Sequence, residues 1–326
     1  NGLADNEFIN VSNFPLEAFD ISYFSPDELI GVEYNGITPV GRTYRGYDVY
    51  GNRTSGKVSF EDFWKKTDEN GVNTRAIAPF TPIYAAGYIE DKFQLKDLTF
   101  RLGFRVDRYD SNQKVLKDPY SVFGSLTAGE FDAENKPDNI GDDYAVYTSD
   151  GTTGGAVVGY RDGDTFFDKE GFQVRNYNSL GSSQAVPVKS DDQGDNTRDE
   201  NFDLDLAFED YKAAYVFMPR LQFSFNITDN ALFFAHYDVL SQTPQSRISS
   251  GFVVNRSIGS PLDYYFFDQI GGTPINNPNL RPETTVDFQL GFKQKISASS
   301  AITFSAYYKE FKDQIQIKRL SGVNGA

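Results

Sequence analysis

The stretch Leu98-Thr-Phe-Arg-Leu-Gly-Phe-Arg-Val-Asp107 places an apolar side chain at every second position, beginning with its first residue. Successive side chains of a strand point to opposite faces of a sheet, so the stretch predicts a strand with one apolar and one polar face. Strands of soluble domains average about 5 to 6 residues, whereas about ten residues cross a bilayer at a tilt of about 45°. Arg101, Arg105 and Asp107 on the polar face therefore favour a strand that faces lipid on one side and water on the other.

The same alternation recurs twice more, and each instance predicts a hairpin. The three hairpins span residues 83–109, 213–242 and 285–313, with connections of about three or four residues inside each. The segments outside them are 1–82, 110–212, 243–284 and 314–326. Structureless loops above about 12 to 15 residues are uncommon in compact domains, whereas outer-membrane barrels alternate short periplasmic turns with long external loops. The sequence thus predicts an all-β fold, an antiparallel transmembrane β-barrel section, with its turns in the periplasm and its long loops extracellular.

Composition supports this class and argues against several others. The 326 residues include 29 Phe and 20 Tyr, which favour a pleated, half-buried surface. A net charge of -15 argues against nucleic-acid binding, which needs clustered Lys and Arg. Without Cys, neither a disulfide nor a thiolate metal site is possible. No run of about 18 apolar residues occurs, which excludes a transmembrane helix.

The ionisable residues predict neither catalysis nor a cofactor. The one imidazole, His236, lies in a strand beside Tyr237, where a place in the barrel wall is the expected role. The carboxylates form no recognisable acid–base pair, so we expect no enzyme activity. Asp162, Asp164 and Asp168 are weak calcium candidates, but they lack the spacing of a known calcium loop, and a solvated turn is the favoured interpretation.

The long loops are predicted to be folded, because their aromatic content is high. Capping and helix-stop residues predict short helices over residues 25–31 and 59–66. An Asp-Gly pair predicts a hairpin over residues 157–167, and residues 188–205 are expected to be the most solvated stretch. Within the second barrel hairpin, Pro219 predicts either a bulge or the point where the strand leaves the membrane, since Pro cannot donate to a ladder.

Several motifs resemble those of TonB-dependent outer-membrane receptors. Asn277-Pro-Asn-Leu-Arg-Pro-Glu283, followed by an alternating strand, resembles the family's element that leads into a late barrel strand. Gly87-Tyr-Ile-Glu-Asp-Lys-Phe93, with the strand after it, is similar to another recurrent hairpin of the family, and Met218-Pro-Arg-Leu221 also fits. The stretch from residue 79 to residue 120 resembles the large receptors of Bacteroidetes-type bacteria.

The resemblance implies a barrel of about 22 strands with an N-terminal plug, of which this chain is expected to be an internal or C-terminal section without the plug. It implies TonB-energised uptake of a nutrient, with siderophore, cobalamin, glycan and peptide all open. The implied partners are outer-membrane lipid, the remainder of the barrel and plug, the TonB machinery through the N-terminal part, and a surface lipoprotein as an open possibility. Two alternatives remain: a structural barrel component or docking platform of a multiprotein outer-membrane assembly, and a soluble extracellular β domain.

Aromatic residues in two loops are the candidate ligand-binding residues. Tyr264, Tyr265, Phe266 and Phe267 are consecutive, and their rings could stack on a sugar, a peptide or an aromatic chelate. Trp64 in the first loop has the same potential. The alternative, which we favour, is that two of the four consecutive rings pack inward and order their loop, and the same alternative applies to Trp64.

The proline motif of the third hairpin is expected to be structural. Its most characteristic residues are Asn279, Leu280, Arg281, Pro282 and Glu283. Proline stiffens the entry to the strand, and an acid can accept hydrogen bonds from nearby backbone donors.

Overall fold

The computed structural model describes residues 14–30, 45–54, 56–180, 185–189, 196–244, 247–249, 252–254, 258–265, 275–318 and 320. The chain divides into two compact units, Asn1–Phe80 and Thr81–Ala326. Within the described residues, no helix is both long enough and apolar enough to cross a membrane.

The described residues of the first unit contain four short helices. Two 3-10 helices, Leu16–Phe19 and Ile21–Tyr23, precede α1 (Pro26–Ile30) and α2 (Asp62–Lys65). Both predicted helices are present, although α2 is shorter than the predicted 59–66. Ser25 caps α1 as predicted, because its hydroxyl accepts from the Glu28 N–H and the Glu28 carboxylate accepts from the Ser25 N–H. Arg75 ties the two helices together by bonding the Asp27 carboxylate at 2.5 Å and the Phe63 carbonyl at 2.9 Å.

The second unit is built mostly of strands. Its elements in chain order are β1 (Ile83–Leu95), β2 (Leu98–Asp110), β3 (Lys114–Leu116), α3 (Ala128–Asp132), β4 (Ala145–Thr148), β5 (Val157–Asp162), β6 (Thr165–Asp168), β7 (Gln173–Val174), a 3-10 helix (Tyr177–Ser179), β8 (Val186–Pro187), α4 (Leu204–Ala207), β9 (Phe208–Asp210), β10 (Ala214–Thr228), β11 (Ala231–Gln242), β12 (Arg247–Ser249), β13 (Phe252–Val254), α5 (Pro261–Tyr265), β14 (Glu283–Ser297) and β15 (Ser300–Lys312).

Six long strands form one antiparallel sheet in the order β1-β2-β10-β11-β14-β15. The three predicted hairpins are confirmed, and their strands are 12 to 15 residues long. Each hairpin closes through two residues rather than the predicted three or four: Lys96-Asp97, Asp229-Asn230 and Ala298-Ser299. Within the described residues, β1 and β15 each pair on one side only, so the sheet is not closed into a barrel.

Pro219 does not produce the bulge that we considered. Strand β10 runs through it without a register shift against β2, where Pro219 lies opposite Phe104. Pairing of β10 with β11 begins at the next residue, Arg220, opposite Asp238. The strand tolerates proline here because the ladder with β11 has not yet begun, so no bond to that strand is lost.

The segment between β2 and β10 forms a folded body, which we call the loop body. At its base β3 pairs with β9, and above them a five-stranded sheet has the order β7-β6-β5-β4-β8. Its buried residues include Tyr147, Val146 and Val188. The predictions of a folded loop and of a hairpin over residues 157–167 are therefore confirmed; β5 and β6 pair across Gly163, which adopts a φ of 53°.

Candidate functional site

One face of the six-stranded sheet is apolar and open, and we call it the apolar face. The ladder registers place Phe93, Phe100 and Phe223 side by side, with ring centroids 5.1 and 5.4 Å apart. Further along the sheet, Phe288 is 40% exposed and Phe304 is 67% exposed. A water-soluble surface rarely carries so large a continuous apolar area. These rings are thus not packed into a closed interior. The barrel prediction required them to face outward.

The height of the apolar face is close to the height of the apolar band in outer-membrane barrels. Leu98 and Val106 bound the apolar series of β2 and lie eight residues apart. At about 3.3 Å per residue they span about 26 Å of strand, or about 20 Å along the membrane normal at a tilt of about 40°. The apolar band of outer-membrane barrels is about 25 Å tall. The face is therefore close to the thickness that lipid would cover.

The opposite face, which we call the polar face, carries ion pairs across neighbouring strands. Their charged atoms lie 3.5 Å apart in the Arg101–Glu90 pair, 3.1 Å in Arg220–Asp238 and 3.0 Å in Lys309–Asp287. In all three, the cation keeps more than a third of its side-chain surface open to solvent. Partly hydrated charges of this kind suit the wall of a water-filled interior.

A row of polar residues that includes Arg101 crosses the polar face on the turn side of the Arg220–Asp238 and Lys309–Asp287 ion pairs. The registers place Lys92 opposite Arg101, Arg101 opposite Gln222, and Gln222 opposite His236. We call these four residues the cationic row. They line an open concavity of about 380 Å³, which Thr99 and Ser224 also border.

Gly291 lets the end of the Phe234 ring approach its backbone on the polar face. The ring of Phe234 covers Gly291, where a Cβ atom would come within 2.3 Å of it. The concavity beside the cationic row is also bordered by Phe234. Because Gly291 has no side chain, the Phe234 ring can take the position in which it borders one side of the concavity.

The comparison with protein families decides the identity. The model of the family described as TonB dependent receptor-like, beta-barrel, matches residues 3–326. The chain belongs to the TonB-dependent receptor β-barrel family. No curated protein and no solved structure matches it. As a TonB-dependent receptor barrel, the chain belongs to a family of outer-membrane receptors and transporters. Members of this family interact with membrane lipid and with TonB, and they are transporters rather than enzymes.

The candidate ligand-binding aromatics of the receptor barrel are packed where they are described. Tyr264 is 1% exposed, and its ring lies edge-on against Phe208 at 4.9 Å. The Thr197 hydroxyl donates to the carbonyls of Tyr264 and Tyr265 at 2.9 and 3.1 Å. Both tyrosines are buried, so they order their loop and offer no open stacking face in this structure.

The remaining aromatic candidates are Trp64, Phe266 and Phe267. Trp64 belongs to the first unit, where its ring lies 4.9 Å from Phe60 and 4.9 Å from the fully buried Phe63. Trp64 itself is half-buried. Phe266 and Phe267 lie outside the described residues. Ligand binding by Trp64, Phe266 or Phe267 stays a prediction.

The proline motif joins the start of β14 to neighbouring loops. The Asn277 side chain accepts from the Asn279 N–H at 2.9 Å, the Leu280 carbonyl accepts from the Tyr211 hydroxyl at 3.2 Å, and Pro282 is buried. Glu283 is the first residue of β14, and its carboxylate accepts from the Ile315 N–H at 2.9 Å. These contacts support a structural role for the motif.

Two of the three weak calcium candidates, Asp164 and Asp168, are directed to different partners. Asp168 accepts from the N–H groups of Glu170 and Phe172, which closes its own turn. Asp164 pairs with Lys318 at 2.6 Å and accepts from the Tyr120 hydroxyl, and these contacts lower the pKa of its carboxyl. In the part of the chain that the structure describes, no three His, Cys, Asp or Glu residues are grouped to hold a metal ion.

Sequence analysis favoured a turn around Asp168 but missed its arrangement, which recurs at three places among the described residues. Asp48-Val-Tyr-Gly51, Asp68-Glu-Asn-Gly71 and Asp168-Lys-Glu-Gly171 share one arrangement. In each, the Asp carboxylate accepts from the N–H groups two and four residues later, and the Gly has a positive φ. The recurring Asp-x-x-Gly spacing is the sequence signal that would have identified these acids as turn residues.

A buried guanidinium organises the loop body. Arg161 is 5% exposed and donates to Asp118 at 2.5 Å, to the Gly163 carbonyl at 2.8 Å and to the Tyr147 hydroxyl at 2.9 Å. Its charge also lies 4.3 Å from the centre of the Tyr120 ring. Burial, followed by the hydrogen bond to Asp164, raises the pKa of Tyr120 to about 12.

Proposed function

We propose that this chain is the wall and external loop system of a receptor that takes up a nutrient by TonB-energised transport. The observation that carries the proposal is the pairing of an exposed apolar face with a hydrated, ion-paired polar face on one sheet. Lipid would cover the first face and a passage for the cargo would run along the second. The family match supports the same conclusion.

The proposal assigns the two-residue turns to the periplasm and the loop body to the cell exterior. Short periplasmic turns and long external loops are the rule in this class of barrel. The loop body would capture the cargo, and the TonB machinery would supply energy through a plug. Siderophore, cobalamin, glycan and peptide cargoes all remain open, and a surface lipoprotein is an allowed partner.

Neighbouring residues of β14 provide a direct test of the two faces. Phe288 lies on the apolar face and Gln289 on the polar face, one position apart. We expect Phe288→Arg to destabilise the inserted receptor by about 2 to 4 kcal/mol, because it places a cation in hydrocarbon. Gln289→Arg is the matched control and should change stability little. Urea unfolding of the receptor in lipid vesicles measures both, and equal tolerance of the two variants would contradict the proposal.

Transport itself requires a cellular test. Cells that lack the complete receptor should lose uptake of one nutrient, and collapse of the proton-motive force should abolish the same uptake in the parent strain. Uptake that continues without the TonB machinery would exclude energised transport.

A second candidate function, a docking platform in a multiprotein assembly, is favoured by one observation. The loop body has its own sheet and its own core, which exceeds what a simple channel loop needs. Stoichiometric co-purification of a surface partner, lost when residues 120–200 are replaced by a short linker, would support this role.

A further inference from the structure

The polar face holds more positive charge on its turn side than its acids neutralise. Lys92 and Arg101 lie directly opposite each other in the ladder. Like charges in opposite positions destabilise a sheet unless something compensates them. Among the described residues, Lys92 forms no ion pair, and Arg101 has one acidic partner, Glu90, at 3.5 Å. The pair therefore has a surplus of positive charge.

The neighbours of this pair are hydrogen-bonding groups. Gln222 and His236 continue the cationic row across the next two strands, and Thr99 and Ser224 border the same concavity. With strands about 4.8 Å apart, Lys92 and His236 stand about 14 Å apart at the backbone. Lys and Arg side chains that approach from two strands can contact one oxyanion together, with the Gln222 amide as a further donor.

The concavity has room for a small ligand. Its volume is about 380 Å³, and it is an open groove along the sheet rather than an enclosed cavity. The Phe234 ring, held against Gly291, closes one side of it. The concavity thus combines two cations, an amide, two hydroxyls and an imidazole around one open volume.

We propose that the cationic row is a binding site for the carboxylate or phosphate group of a small anionic ligand that passes along the polar face. Arg101 and Lys92 bind the oxyanion, Gln222 donates to it, and His236 contacts a second polar group of a larger ligand. This inference rests on the proposed function, since it takes the polar face as the passage for cargo, and it assigns an anionic class to that cargo.

Inorganic phosphate is the probe, and the test uses the complete receptor in detergent. Phosphate binding is followed by line broadening in ³¹P NMR. We expect saturable binding that Lys92→Gln and Arg101→Gln each weaken about tenfold or more, because each removes one charge-assisted contact. Chloride at high concentration should compete.

Lys293→Gln is the matched control. Lys293 is an exposed cation of the same face, opposite Leu232 and outside the concavity, so its loss should change binding less than twofold. Equal effects of Lys92→Gln and Lys293→Gln would overturn the site. Absence of phosphate binding in the parent receptor would overturn it too, including the case where an acidic side chain from elsewhere in the receptor fills the site.

Failure of this inference is distinguishable from failure of the proposed function. Surface labelling and heat-modifiable migration report whether the receptor is inserted in the outer membrane. A receptor that inserts and transports but binds no phosphate loses only the anionic site. A receptor that does not insert loses the proposed function as well.

Discussion

Replacement of Arg161 by Met should open the loop body while the barrel sheet stays intact. The change removes the guanidinium contacts to Asp118, Tyr147 and the Gly163 carbonyl, but keeps a flexible, unbranched apolar side chain. It leaves the Asp118 carboxylate, whose side chain is 19% exposed, without its cation. The buried Tyr147 hydroxyl loses a donor at the same time.

The magnitude follows from the partners that remain. Removal of one member of a buried ion pair costs about 3 to 5 kcal/mol. Asp118 keeps donors from the Tyr120 N–H at 2.9 Å and the Ser125 hydroxyl at 3.3 Å. These bonds favour the lower end of the range, about 3 kcal/mol, which corresponds to a local opening constant roughly a hundredfold larger.

Native-state hydrogen exchange of the receptor in detergent is the assay. The amides of β4 and β5 should exchange roughly a hundredfold faster in Arg161→Met, and those of β14 should not change. The control is Arg175→Met, which removes an exposed arginine of the loop body and should change stability by less than about 0.5 kcal/mol. Unchanged exchange in β4 and β5, or equal acceleration by both variants, would refute the role given to Arg161.

Three further predictions concern other parts of the second unit. The pKa of Tyr120 is raised from 10.0 to about 12, so the stability that its protonated hydroxyl contributes is complete below pH 10 and is lost as pH rises toward 12. Tyrosinate absorbance and near-UV circular dichroism should therefore change together in that interval. A change that is complete below pH 10 would contradict this prediction. Gly291→Ala should displace the Phe234 ring and cost about 1 to 2 kcal/mol in urea unfolding, and the added change Phe234→Leu should recover part of this loss. Asp168→Ala should lower the free energy of local opening in β6 and β7 by about 1 kcal/mol, so that their amides exchange faster, without altering any response to calcium. A calcium response that this variant removes would restore the metal interpretation.

The hairpins could be predicted from sequence because alternation is a local property. Ten residues that alternate around Phe100 suffice to identify a strand and its two faces. The ion pairs of the polar face could not be predicted, since they depend on register. A turn of two residues places Glu90 opposite Gly103, within reach of Arg101, and a different turn length would shift these partners.

The packing partners of buried loop residues could not be predicted from the sequence either. Tyr264 and Phe208 are far apart in the chain, and only the folded loops show that their rings meet. The buried position of Arg161 had no local signal either, because charged residues are rarely fully buried. The acidic turns are different: the Asp168 turn has a short, local spacing that sequence reasoning could have recognised.

The pairing of β3 with β9 at the base of the loop body bears on how the sheet is assembled. The ladder of β2 with β10 joins Tyr109 to Ala214, which roughly 100 residues separate. Once Lys114 and Asp210 are paired, the span still to be closed is about ten residues, which lowers the entropic cost of joining the two strands by about 2 kcal/mol. A loop body that folds first would therefore bring β2 and β10 into register at a smaller entropic cost.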